Sequence, residues 1–98
     1  MGKTAKANDR AVVICTEKRG VFFGYSDATA GDTVTLKRAR MCVYWDVSTK
    51  GVMGLASGGP TAGCRITASV PIAELRGVTC VLDCTPEAVD RWESGPWK

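Results

Sequence analysis

The sequence predicts an α+β domain, mainly β: an antiparallel sheet or small open barrel of five to six strands with a short C-terminal helix. Three observations point there. Runs of β-branched and aromatic residues of strand length recur along the chain, each bounded by glycine, proline or polar turn residues. The connections between them are too short for parallel crossovers, which take roughly a dozen residues or more. Only the stretch after Thr85 carries the full chemistry of a helix start.

Residues 1–10 read as a polar, flexible leader ahead of one β-rich domain spanning 11–98. Ala11-Val12-Val13-Ile14-Cys15 is a continuous apolar run, the pattern of a central strand covered on both faces. Residues 16–19 turn the chain, and Gly20-Val21-Phe22-Phe23-Gly24-Tyr25 returns as the second arm of a hairpin. After a polar turn over 26–31, Asp32-Thr33-Val34-Thr35-Leu36-Lys37 alternates strictly, with Val34 and Leu36 inward. Residues 38–45 follow, either as a fourth strand after a bend at Lys37 and Arg38 or as the bent continuation of the third. Alternation places Ala39, Met41, Val43 and Trp45 on one face, expected to be core, and Arg38, Arg40, Cys42 and Tyr44 on the other.

Residues 46–51 form a loop, and Val52-Met53-Gly54-Leu55-Ala56 fits a short helical turn that Ser57-Gly58-Gly59-Pro60 must break. The glycine-rich segment is expected to be mobile. Cys64-Arg65-Ile66-Thr67 and Val70-Pro71-Ile72 are short extended pieces, with Pro71 marking an edge or a strand end. Residues 77–84 are a strand. Thr85 is then an N-cap, Pro86 the first helical residue and Glu87 a first-turn carboxylate. The helix over 86–93 sets Ala88, Val89 and Trp92 at helical spacing for packing on the sheet, and Gly95-Pro96 ends it.

With 98 residues the chain is one domain, and 45% hydrophobic and 23% charged residues are ordinary for a globular protein. The net charge of +3, from 13 basic and 10 acidic residues, is weakly basic; it favours small anionic ligands over basic ones and falls short of a dedicated nucleic-acid binder. No apolar run approaches the roughly 20 residues of a membrane-spanning helix. The amino terminus lacks an apolar signal segment, so the protein is expected to stay in the compartment where it is made. Five cysteines, none in close metal-ligand spacing, are expected to be buried reduced thiols in a cytosolic setting, with a disulfide or a metal as the alternative.

The face carrying Arg38, Arg40 and Tyr44 is the main candidate binding surface: guanidinium groups grip phosphate, and a phenol stacks on a base. The structural alternative is a solvated face whose arginines lie over their neighbours. Trp45 and Phe22 or Phe23 offer further rings for a base, with core packing as the alternative. Gly58 and Gly59 offer backbone N–H groups to a phosphate, and Arg65 follows them, but the lysine and the strand–loop–helix setting of a P-loop are missing. Trp92 and Trp97, near the end of the chain, are candidate contacts of a homo-oligomer. Catalysis has little support: there is no histidine, the carboxylates are dispersed over turns and helix ends, and no cysteine has a visible activating partner. The expected protein is therefore a non-enzyme with no cofactor and no metal, binding a small phosphorylated nucleotide-like ligand.

Gly20-Val21-Phe22-Phe23-Gly24, Val34-Thr35-Leu36-Lys37-Arg38-Ala39-Arg40, Tyr44-Trp45 and Thr85-Pro86-Glu87-Ala88 together carry a family resemblance. The chain resembles a family of small tailed-phage proteins of unassigned function with a G-V-x-F-G hairpin, a V-x-L-x-x-A-R strand, a Y-W pair and a closing T-x-E-A helix. It departs from that pattern at Met41 and Cys15, where many relatives carry arginine. The resemblance implies a phage or prophage product acting in the cytoplasm of the bacterial host or in the virion, and it implies no activity. In such a setting a binding protein of this size is expected to act as an anti-defence sponge. The alternatives are a virion or baseplate accessory and a non-specific nucleic-acid binder.

Overall fold

A computed structural model describes residues 10–17, 20–27, 31–45 and 47–95. Strands β1 (Arg10–Thr16), β2 (Val21–Ser26) and β3 (Thr33–Tyr44) form an antiparallel meander, and β6 (Val78–Asp83) returns to the free side of β1. Along the outer side of β3 lie two strands in series. The short β4 (Arg65–Ile66) flanks its C-terminal half, and β5 (Val70–Arg76) flanks its N-terminal half. The six strands make one open antiparallel sheet, as the sequence predicts.

β1 lies inside the sheet between β2 and β6, as its unbroken apolar run requires. Val12, Val13 and Ile14 are all fully buried because both faces of the sheet are covered. On one face Val13, Val21, Phe23, Cys42 and Ile66 pack beneath α1 (Gly51–Ser57) and α2 (Pro86–Ser94), which add Leu55, Ala88 and Trp92. On the other face Val12, Ile14, Val34, Leu36, Ala39 and Leu75 form a second core inside the curl of the sheet. The curl follows from connectivity. The strands β5 and β6 stand at opposite sides of the meander yet are joined by Gly77 alone, and Val78 N donates to Asp32 O at 3.0 Å.

The two readings of residues 38–45 resolve in favour of one bent strand. Phe23 lies opposite Arg40 and Tyr25 opposite Lys37, so Gly24 faces both Arg38 and Ala39 across a β-bulge. Arg38 takes a left-handed conformation there, with φ 51°. Gly24 is required opposite it, since a Cβ would lie 2.9 Å from Leu36 Cβ and 3.1 Å from the Lys37 carbonyl. The extra residue shifts the alternation, so Ala39 continues the Val34–Leu36 side, while Arg40 and Cys42 turn toward the helices and are buried. The expected division into a core face and an open arginine face is therefore corrected: the face of Arg40 and Cys42 lies under α2, and Val43, assigned to the core, is 59% exposed.

The terminal helix forms as its start signals predict. Thr85 Oγ1 accepts from Ala88 N at 3.1 Å and donates to Ser57 O at 2.7 Å, so one hydroxyl caps α2 and ties it to the end of α1. Trp92 is fully buried, its ring stacked on Phe23 with centroids 5.1 Å apart and its indole N–H donated to Leu55 O at 3.0 Å. That placement corrects its assignment to a subunit contact: its surface and its donor are both used inside the chain. Trp97, like the leader residues 1–9, lies outside the described residues. No described helix is long and apolar enough to cross a membrane.

Candidate functional site

Three clefts hold the residues that the sequence singles out, and they are separate. The first is lined by Phe23, Arg38, Arg40, Ser69 and Glu93 and encloses about 240 Å³. Arg40 is buried, and its guanidinium donates to Thr67 O at 2.7 Å and to Trp92 O at 2.5 Å. Burial lowers its pKa, yet a guanidinium in a protein keeps its charge. Arg38 lies 4.3 Å over the Tyr25 ring and 3.5 Å from the Glu93 carboxylate, which also accepts the Tyr25 hydroxyl. Burial, with Glu93 adding to it, raises the Tyr25 pKa and keeps the phenol a donor. These contacts clamp the C-terminal turn of α2 onto β2 and β3. An anion entering here competes with Glu93 for Arg38 and with two backbone carbonyls for Arg40, and Phe23 has one ring face already taken by Trp92.

The second cleft, of about 440 Å³, is lined by Tyr44, Trp45, Val47 and Gly51. Tyr44 is half exposed, and Arg65 sits opposite it across the β3–β4 ladder, so phenol and guanidinium are neighbours at the sheet's end. Neither reaches the cleft of Arg38 and Arg40.

Gly58 and Gly59 belong to the third cleft, between the segment after α1 and the outer side of α2. It consists of two adjoining cavities that share Thr61 and Arg91. One, of about 330 Å³, has apolar walls from Pro60, Ala62, Cys64 and Ile66; the other, of about 210 Å³, is polar, with Ser48, Lys50 and Ser57 beside Gly58 and Gly59. No carboxylate lines either one, and Arg91 is held 3.3 Å from Glu87 on the exposed side of its helix. Ser48 Oγ and Thr61 Oγ1 lie 2.7 Å apart across the mouth.

The glycines serve a purpose that the sequence did not reveal. Gly59 has φ +83°, and a Cβ on it would lie 2.8 Å from Arg91 Cβ and 3.0 Å from Ala88 Cα, so the loop packs directly on α2. The Gly58 and Gly59 N–H groups both donate to Gly54 O, at 2.8 and 3.1 Å, and close the end of α1 instead of pointing at a ligand. Lys50 and Arg91 were missed by sequence reasoning. Their spacing along the chain carries no signal, because only the docking of α2 against the α1 segment brings them to one cavity. Among the described residues no group of three or more His, Cys, Asp or Glu side chains forms a metal site.

A family model described as a domain of unknown function (DUF6948) matches residues 9–92, a span that takes in all six strands and α2 as far as Trp92. No curated protein and no solved structure matches the chain. By the extent of that match, the chain belongs to the DUF6948 family.

Proposed function

We propose that this chain is a non-enzymatic binding protein that sequesters a small phosphorylated, nucleotide-like ligand across the paired cavities at Thr61 and Arg91. The observation that carries this reading is the lining itself. Two cations, Lys50 and Arg91, stand with four hydroxyl side chains around the polar half, the apolar half adjoins it, and neither contains a carboxylate. Charge-assisted hydrogen bonds from Arg91 and the Lys50 ammonium suit a phosphate. The walls at Pro60, Ala62 and Ile66 suit the flat apolar face of a base. The cleft of Arg38 and Arg40 is the poorer host, because the Glu93 carboxylate lines that cleft itself and the Arg40 guanidinium is already committed to the Thr67 and Trp92 carbonyls.

The biological setting we infer from the motif resemblance is a bacteriophage product in the cytoplasm of its bacterial host, removing a nucleotide-type immune signal. A chain without histidine has little means of general acid–base turnover near neutral pH, which supports retention of a ligand over its conversion. Isothermal titration of AMP, ADP-ribose and a cyclic dinucleotide is the test. At least one should bind, and Arg91→Ala should weaken that binding by about tenfold to a hundredfold, the range for loss of a charged hydrogen bond. Arg38→Ala should leave it within a few-fold. No binding by the wild type, or equal binding by Arg91→Ala, overturns the reading.

A second reading rests on the exposed apolar residues Val43, Tyr44, Val47 and Met53, which suit a structural or interaction module. Presence of the protein in many copies in purified virions would favour it.

A further inference from the structure

Four of the five cysteines fall into two pairs that the fold brings together from separate parts of the sequence. Cys15 in β1 and Cys80 in β6 are directly opposite each other in the antiparallel ladder, and both are half-buried. Cys42 in β3 and Cys64, just before β4, are buried in the same core beneath the helices, Cys42 opposite Ile66 and so two residues from Cys64 across the ladder. Cys84 is the fifth, half-buried at the end of β6. All five are free thiols. We propose that the fold presets two intramolecular disulfides, Cys15–Cys80 and Cys42–Cys64, and that a peroxide closes both while leaving Cys84 reduced.

The geometry suits both bonds. Residues directly opposite on antiparallel strands have Cα atoms about 4.5–5.5 Å apart, inside the span of about 4.4–6.8 Å that a disulfide bridges. Cys15 and Cys80 meet that condition through the ladder. In the other pair Cys42 lies opposite Ile66 in the β3–β4 ladder, two residues on from Cys64, and both side chains are buried in one core, so side-chain rotation brings the sulfurs together. The attacking thiol of this pair is Cys64. It lines the apolar cavity, where a molecule as small as hydrogen peroxide has access, and its sulfur accepts from Thr61 N at 3.4 Å. Cys42 faces inward, 3.4 Å from the Tyr44 carbonyl, and supplies the second sulfur.

The chemistry balances within each pair. The Cys64 thiolate attacks one peroxide oxygen, the O–O bond breaks, hydroxide departs and Cys64 becomes a sulfenic acid. The Cys42 sulfur then attacks the sulfenic sulfur, the S–O bond breaks, and the departing hydroxide takes the Cys42 proton as water. Two thiols are oxidised by two electrons and one peroxide is reduced to two waters. Cys15 and Cys80 follow the same course. Neither step requires the ligand proposed above.

The test uses the full chain, fully reduced, exposed to hydrogen peroxide, blocked with N-ethylmaleimide and mapped by peptide mass spectrometry. The expected product has lost the four paired thiol hydrogens, carries a single maleimide on Cys84, and yields the two linked peptides named. Chain unfolded in urea before oxidation should give mixed pairings, including the sequence neighbours Cys80 and Cys84. Cys42→Ser should retain the Cys15–Cys80 link and leave Cys64 as a sulfenic acid that dimedone traps. Oxygenated cysteines without links in the folded wild type, or other pairings there, overturn the proposal whatever the variant does.

Discussion

At Arg38 two demands meet on one residue. Its backbone is left-handed to form the bulge, while its side chain spans the Tyr25 ring and the Glu93 carboxylate. Glycine would satisfy the backbone and lose the contacts; alanine would lose both. Left-handed backbone costs a non-glycine residue about 1–2 kcal/mol, so Arg38→Gly should be more stable than Arg38→Ala by about 1 kcal/mol in urea unfolding. Equal stability would mean that the bulge relaxes when the side chain is cut back. The thiols give a second test at this scale. Burial pushes Cys42 and Cys84 from an ordinary value of 9.0 up to about 12 and raises Cys15 as well. Between those values the unfolded chain releases protons that the folded chain keeps, so stability must fall as pH rises from about 9 toward 12. Thermal melts of reduced protein across that window should show a decline, and Cys42→Ala should make it shallower.

Elements differ in how much of their cause is local. The terminal helix was legible because Thr85, Pro86 and Glu87 act within one turn, and β1 and β6 because a run of apolar β-formers needs no distant information. The course of β3 was not legible. Its bulge is decided by Gly24 on the neighbouring strand, and no pattern within residues 38–45 announces that the alternation will shift. The candidate site was legible to the same degree. That Arg38 and Arg40 share a cleft follows from one strand, but their occupation by Glu93, Thr67 and Trp92 depends on residues up to 55 positions away, as in the Arg38–Glu93 pair. The segment after α1 shows the same dependence in its energetics. Gly59→Ala adds a Cβ against Arg91 and Ala88 in a left-handed backbone, so it should cost about 2 kcal/mol or more and lower the melting temperature. A neutral Gly59→Ala would show that the loop can lift from α2, as the expected mobile segment would.

On the scale of the whole molecule, two cores share one sheet, and they are closed by different parts of the chain. The helices complete the first; the curl through Gly77 completes the second. Both proposed functions of the surface lie on the helical side, where Cys64 is common to the apolar cavity and to the proposed disulfide. The molecule thus keeps its exchangeable chemistry on one face and leaves the curled core without polar contacts to the site.

The position of β1 has a consequence for the protein's manufacture. Its two neighbours are β2, which follows at once, and β6, whose residues pair with it across nearly the whole chain, Val12 with Asp83 and Ile14 with Val81. On the ribosome this apolar strand is therefore half-paired early, and one of its edges stays open until β6 has been made. Sequestering that edge during elongation, by the tunnel or by a chaperone, is what separates a productive chain from one that pairs with its neighbours on the same message.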